Sequence, residues 1–328
     1  MERFLDKRIV FLAGATGLAG TSILTHILKY YPETKIRATY YKHTKPFIKH
    51  KNIDYRYCDL KSESDSRKIV KGCDCAIMAA AYTGGAGLVT ANPLDHINEN
   101  MILNLRLLQA FQFAGIKRIV YIGSATLYQE FNGNIKETDL DLNKDPEGAY
   151  KGFGWVVRFI EKFCAFLHSQ YGSEILIARV SNIFGPYAKF DLKTSNFIPA
   201  LIRKAVDKQE PFEIWGSPDV TRDVIFSEDF ARAVIMMLDA QKLKFDIFNI
   251  GSGVRVTVGD IAKMILKFSG HSPREVRYSS DKPTTLKFRA LDCSKAKNVL
   301  GWQAEQSIEQ GIEKTIKWWI ENKGRWQK

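Results

Sequence analysis

The chain has 328 residues, of which 45% are apolar and 26% charged, the balance of a globular protein with ample core and no mark of global disorder. Its formal net charge is +12, from 48 Lys and Arg against 36 Asp and Glu. These cations are scattered and form no basic stripe interleaved with aromatics, so nucleic-acid binding is not expected.

No apolar run is long enough to span a bilayer, so no membrane segment is expected, and the charged residues 1–7 do not read as a signal peptide. The five cysteines are Cys58, Cys73, Cys75, Cys164 and Cys293. Their odd number, and a C-x-C as the only close pair, predict reduced core thiols in a cytoplasmic protein and no metal site.

Strands are predicted over residues 8–13, 35–40, 54–58, 75–79, 118–122 and 175–179. Helical patterns over residues 20–30, around Met101, Leu105 and Leu108, and over 153–171 fall between them. This alternation predicts an α/β fold, a Rossmann-type doubly wound parallel sheet. After Arg179 the rhythm changes. A proline-rich loop segment carries one helix near 198–207, a strand follows at 248–250, and helices at 258–268 and 307–321 complete the chain. The expected division is a dinucleotide-binding domain, residues 1–182 plus about 223–250. A smaller discontinuous C-terminal lobe, about 183–222 plus 251–328, would bind substrate, with the ligand cleft at the junction.

The first strand ends in Gly14-Ala15-Thr16-Gly17-Leu18-Ala19-Gly20 and opens a helix. Glycines at this spacing allow a sharp turn, close backbone approach to a pyrophosphate, and tight packing of helix on strand. The context predicts dinucleotide binding by Gly14, Ala15, Thr16, Gly17, Leu18 and Gly20. No acidic residue closes the second strand, and Arg37, Lys42 and His43 stand there instead. That favours NADP over NAD as cofactor.

With these residues in view, the chain resembles the extended short-chain dehydrogenase/reductase superfamily, the NAD-dependent epimerase/dehydratase family. It is nearest to the branch of GDP-fucose synthase and UDP-galactose 4-epimerase, enzymes of nucleotide sugars. Further markers are Asp59-Leu60, Ala79-Ala80-Ala81, Asn100, Ser124-Ala125-Thr126, Tyr150, Asn182, Asn196-Phe197 and Arg222. The resemblance implies that Asp59 and Leu60 hold the adenine, and it assigns Ala79, Ala80, Ala81, Asn100 and Tyr150 to the cofactor. Tyr150 with Ser124 would move the proton, and Thr126 would contact the sugar. Asn182, Asn196, Phe197 and Arg222 would hold the nucleotide-sugar substrate. It also implies a homodimer formed through helices near 97–114 and 153–171.

The family signature is Tyr-x-x-x-Lys on one helix face. Counted from Tyr150, the lysine position is Gly154. Arg158, one turn further on, is the candidate to reach back over the glycine with the missing cation. Thr126, Leu127 and Tyr128 offer no acid pair for dehydration. Thr126 and Tyr187 replace the cysteine and histidine of ring-carbon epimerisation. The expected function is NAD(P)-dependent hydride transfer at one sugar carbon, C4, by an epimerase, 4-keto reductase or 4-dehydrogenase. The alternative is a non-catalytic dinucleotide-binding protein that has lost the signature lysine.

Overall fold

A computed structural model describes residues 3–41, 46–84, 91–279 and 289–325. Seven strands form the central sheet: β1 (Ile9–Ala13), β2 (Lys35–Tyr40), β3 (Ile53–Tyr57), β4 (Cys75–Met78), β5 (Arg118–Ser124), β6 (Glu174–Val180) and β7 (Phe245–Ile250). Their order is β7-β6-β5-β4-β1-β2-β3, and every pairing is parallel. The chain turns back between β1 and β4, and that switch point opens a crevice at the carboxyl ends of the strands.

The helices are α1 (Leu18–Tyr30), α2 (Glu63–Ile69), α3 (Pro93–Ala114), α4 (Lys151–Tyr171), α5 (Phe197–Val206), α6 (Ser227–Asp239), α7 (Val258–Ser269), α8 (Ser294–Leu300) and α9 (Ile308–Asn322). Ile23, Leu24 and Ile27 of α1 join Phe230 and Val234 of α6 on one face of the sheet. Leu107 and Phe111 of α3 join Ile160 and Cys164 of α4 on the other. Strands such as Ile9–Ala13 and Cys75–Met78 are therefore apolar throughout rather than alternating. A third cluster takes its buried residues, among them Phe190, Ile202, Ile261, Ile312 and Trp319, from after β6 among the described residues, with Leu18 of α1 packed against it.

The six expected strands of the first half are present to within two residues. Helix α6 was not anticipated. The strand Val224–Phe226 runs into it with no turn residue between, and its N-cap is Phe226, which gives no side-chain capping signal. No helix among the described residues is long and apolar enough to cross a membrane. All five cysteines are free.

One buried network fixes α4 against the sheet. Arg179 of β6 donates to both carboxylate oxygens of Glu161, at 3.0 and 2.8 Å, and to the Tyr128 hydroxyl at 2.9 Å. Tyr128 in turn donates to Asn249 of β7 at 2.7 Å.

Candidate active site

The glycine loop leaves β1 at Gly14, whose φ of +75° suits a residue without Cβ. A Cβ at Gly14 would also lie 2.6 Å from the Ala80 Cα, and one at Gly20 would collide with the Gly14 carbonyl oxygen. The loop is pinned to the end of β2 by two bonds, Gly14 N–H to Thr39 Oγ1 (3.2 Å) and Ala15 N–H to the Thr39 carbonyl (3.0 Å). Gly17, the N-cap of α1, offers no side-chain acceptor to the first turn. A tight backbone loop that a Cβ on Gly14 or Gly20 would disrupt, at an uncapped helix N-terminus, fits a pyrophosphate.

Asp59 follows β3, and its carboxylate accepts the Lys61 N–H (3.1 Å) and the Tyr41 hydroxyl (3.3 Å). Leu60 beside it is buried. Tyr41, which sequence reasoning passed over, therefore stands at the end of β2 with its phenol on Asp59. Of the basic residues read as favouring NADP, Arg37 is turned away. Its guanidinium donates to the carbonyls of Ile69 and Lys71 at the end of α2. Lys42 and His43 lie outside the described residues.

Ala79, Ala80 and Ala81 lead out from β4 beside the cradle. Asn100, expected to bind cofactor, is instead fully buried behind this loop. Its amide accepts the Tyr82 N–H (2.9 Å) and donates to the carbonyls of Tyr82 (3.0 Å) and His96 (2.7 Å). The side chain fastens the loop rather than facing a ligand.

Ser124 ends β5, and its Oγ accepts the backbone N–H and the hydroxyl of Thr126 at 3.3 and 3.0 Å. The two hydroxyls expected in the site are thus brought together. Tyr150 closes a 3-10 turn (Gly148–Tyr150) and is the N-cap of α4. Burial raises its phenol pKa, while the Arg222 cation pulls it down. No hydrogen bond joins Tyr150 to Ser124 among the described residues.

Two expectations about α4 are corrected. The space over Gly154 is not open: a Cβ there would collide with the Pro146 side chain and lie 2.6 Å from the Thr126 carbonyl oxygen. Arg158 does not reach back over it. Its guanidinium is buried and donates to the carbonyls of Leu127 (2.7 Å) and Lys144 (2.6 Å), fastening two loops. The i,i+4 pair that α4 turns onto residues 125–128 is Phe153 and Val157. Phe153 also packs on the His96 ring, with centroids 4.6 Å apart.

On the far side of the cleft, Asn182 pairs with the Asp223 carbonyl (3.4 Å), Asn196 is the N-cap of α5, and Phe197 begins that helix. Arg222 is desolvated, its pKa lowered to about 10 by burial against the opposing pull of Tyr150 and Glu147. Arg222 and Tyr150 are therefore brought to one locality, as the sequence implied only through the family.

The doubly wound sheet, the glycine cradle and the hydroxyl pair at the end of β5 define a dinucleotide-dependent enzyme of the short-chain dehydrogenase/reductase kind. The family described as "NAD dependent epimerase/dehydratase family" matches residues 10–251, and the chain belongs to it. It is 25% identical over 326 residues to a GDP-L-fucose synthase of Sinorhizobium fredii, covering 97% of both chains. It is 26% identical over 325 residues to a GDP-L-colitose synthase of Yersinia pseudotuberculosis, covering 96% of this chain and 98% of that one. Its fold matches that of a GDP-6-OMe-4-keto-L-xylo-heptose reductase from C. jejuni, with a TM-score of 0.83, 22% identity, and coverage of 98% of this chain and 100% of that one. Membership of this family favours the catalytic reading over the binding-only alternative.

Proposed function

We propose that the chain acts on a nucleoside-diphosphate sugar, most closely a GDP-sugar, and moves a hydride at one sugar carbon, C4. NAD or NADP, held by the cradle of residues 14–20 with Asp59 and Leu60 at the adenine end, supplies the hydride chemistry when bound. The observation that carries this reading is the Ser124–Thr126 hydroxyl pair at the end of β5. It lies two strands from the cradle at the end of β1. At roughly 4.8 Å per strand, that is about 10 Å along the crevice.

In this reading Ser124 hydrogen-bonds the reacting oxygen, and Thr126 orients Ser124 by donating to it. Tyr150 carries the proton at its phenol oxygen. Arg222 does two things: its charge favours the phenolate, and its planar fork suits the substrate diphosphate. Asn182, Asn196 and Phe197 line the nucleotide side. The Rossmann part and the later lobe, divided near residues 182, 223 and 250, close on the two ligands from either side.

Exposed apolar rings on the helix pair α3–α4 support self-association. Phe159 and Phe166 are about half exposed and stack through Phe163 at centroid distances of 6.3 and 6.2 Å. A homodimer through these helices would cover them. The free cysteines suit a reducing cytoplasm.

The test is to denature the purified protein and identify any released nicotinamide cofactor and its redox state. GDP-, UDP-, CDP- and dTDP-sugars are then titrated into the native protein at the reduced-nicotinamide absorbance band. A change with a GDP-sugar supports the reading. Bound cofactor that no sugar oxidises or reduces would turn it toward a binding protein.

A further inference from the structure

The segment after Gly185 carries an ammonium group that the reading above does not use. Tyr187 adopts a left-handed backbone, φ +69°, unusual for a residue with a Cβ. Its ring packs on Phe47 and Trp318, at centroid distances of 5.3 and 5.0 Å. Phe190, fully buried, stacks on Trp319 at 4.1 Å, and Ala188 is buried as well. Between these anchors the Lys189 side chain leaves the aromatic cluster. It crosses to the loop after β4, where Nζ donates to the Thr83 carbonyl at 3.2 Å.

Both ends of that crossing are fixed. The aromatic cluster holds residues 187–190, and Asn100 clamps Tyr82 by both its N–H and its carbonyl. Thr83 is three residues from Ala80, which abuts the glycine cradle, and three residues of extended chain reach about 10 Å at most. Lys189 therefore spans from the later lobe to the wall of the cofactor crevice.

Its charge has no acidic partner among the described residues. A carbonyl is neutral, two further N–H donors remain, and no ion pair reaches Lys189 among the described residues. The side chain is exposed at the surface, and partial desolvation by its surroundings lowers its pKa from the ordinary lysine value. An ammonium held at a ligand crevice with no carboxylate partner is suited to an anion.

We propose that Lys189 is a substrate-binding residue that recognises an anionic oxygen group of the nucleotide sugar where the two lobes meet. The proposal rests on the nucleotide-sugar reading. Two parts of such a substrate offer this chemistry: the diphosphate, and a carboxylate on the sugar ring.

The experiment measures binding of GDP, GDP-mannose and GDP-mannuronate to the cofactor-loaded full chain by calorimetry, for wild type, Lys189→Met and Lys189→Arg. The expected result is a loss of ~10-fold or more in Lys189→Met, largely restored in Lys189→Arg, with thermal unfolding unchanged. An equal loss for all three ligands assigns Lys189 to the diphosphate. A loss confined to GDP-mannuronate assigns it to a sugar carboxylate. Unchanged affinities in Lys189→Met, with wild type binding normally, overturn the proposal alone. A loss confined to GDP-mannose makes Lys189 a hydroxyl contact and also overturns it. Wild-type protein that binds none of the three overturns the GDP-sugar reading and the proposal with it.

Discussion

Phe153 and Val157 lie one turn apart on α4 and pack together on residues 125–128, immediately after Ser124. Val157 closes the gap beside Gly123, its Cγ1 lying 3.5 Å from where a Cβ on that glycine would stand. The helix thus presents two apolar side chains to the end of β5, at the spacing where the family signature has a phenol and an ammonium. The signature positions themselves are Tyr150, the N-cap of α4, whose phenol feels the Arg222 charge, and Gly154.

Tyr150→Phe is expected to lower kcat by ~10²–10⁴ while leaving cofactor binding in place. Ser124→Ala should act in the same direction. Single-turnover absorbance at the reduced-nicotinamide band, with the sugar nucleotide identified by titration, checks both. An unchanged rate in Tyr150→Phe would move proton transfer to another group.

Restoring a lysine at Gly154 is expected to harm the protein rather than repair it. Even Gly154→Ala puts a Cβ into Pro146 and the Thr126 carbonyl. Overpacking of this kind costs roughly 1–3 kcal/mol, readable as a lower urea midpoint at unchanged slope. A neutral or stabilising Gly154→Lys would show that Pro146 yields easily.

Glu161→Gln strands the buried Arg179 guanidinium, which otherwise makes two bonds to that carboxylate. Breaking a buried pair from one side costs about 3–5 kcal/mol. Equilibrium unfolding should show that loss. Because the pair joins α4 to β6, the change should also reach the Tyr128–Asn249 hydrogen bond.

The pH dependence has a definite sign at His26. Burial first, then the Arg232 and Lys29 charges, lower its pKa from 6.5 to about 4. The folded protein keeps this imidazole neutral where the unfolded chain protonates it, so stability falls as pH drops from 6.5 toward 4. After discounting for partial exposure, the effect is on the order of 1–2 kcal/mol. Urea midpoints measured across that window should slope less in His26→Gln than in wild type.

Phe166→Glu, or Phe159→Glu, places a charge on the exposed aromatic row of α4. If two copies pair through α3 and α4, sedimentation should show dimer for the wild type and monomer for the variants. A wild-type monomer would leave that face to another partner.

What the sequence determined by itself was whatever repeats locally. Apolar runs of four to six residues marked buried parallel strands, and the glycine spacing marked a backbone too close for a Cβ at Gly14 and Gly20. The Ser124 and Thr126 hydroxyls were legible because a strand end fixes its own direction. What only the tertiary structure decided was where elements begin and what fills the space beside them. A 3-10 turn precedes α4, and the face counted from Tyr150 meets the residues after β5 through a glycine and an arginine bound to the Leu127 carbonyl. Pro146 occupies the room over Gly154, and distant carbonyls capture Arg158, Asn100 and Arg37. Lys189 met Thr83 across 106 residues of chain, a contact set by two lobes and their aromatic packing rather than by any local pattern.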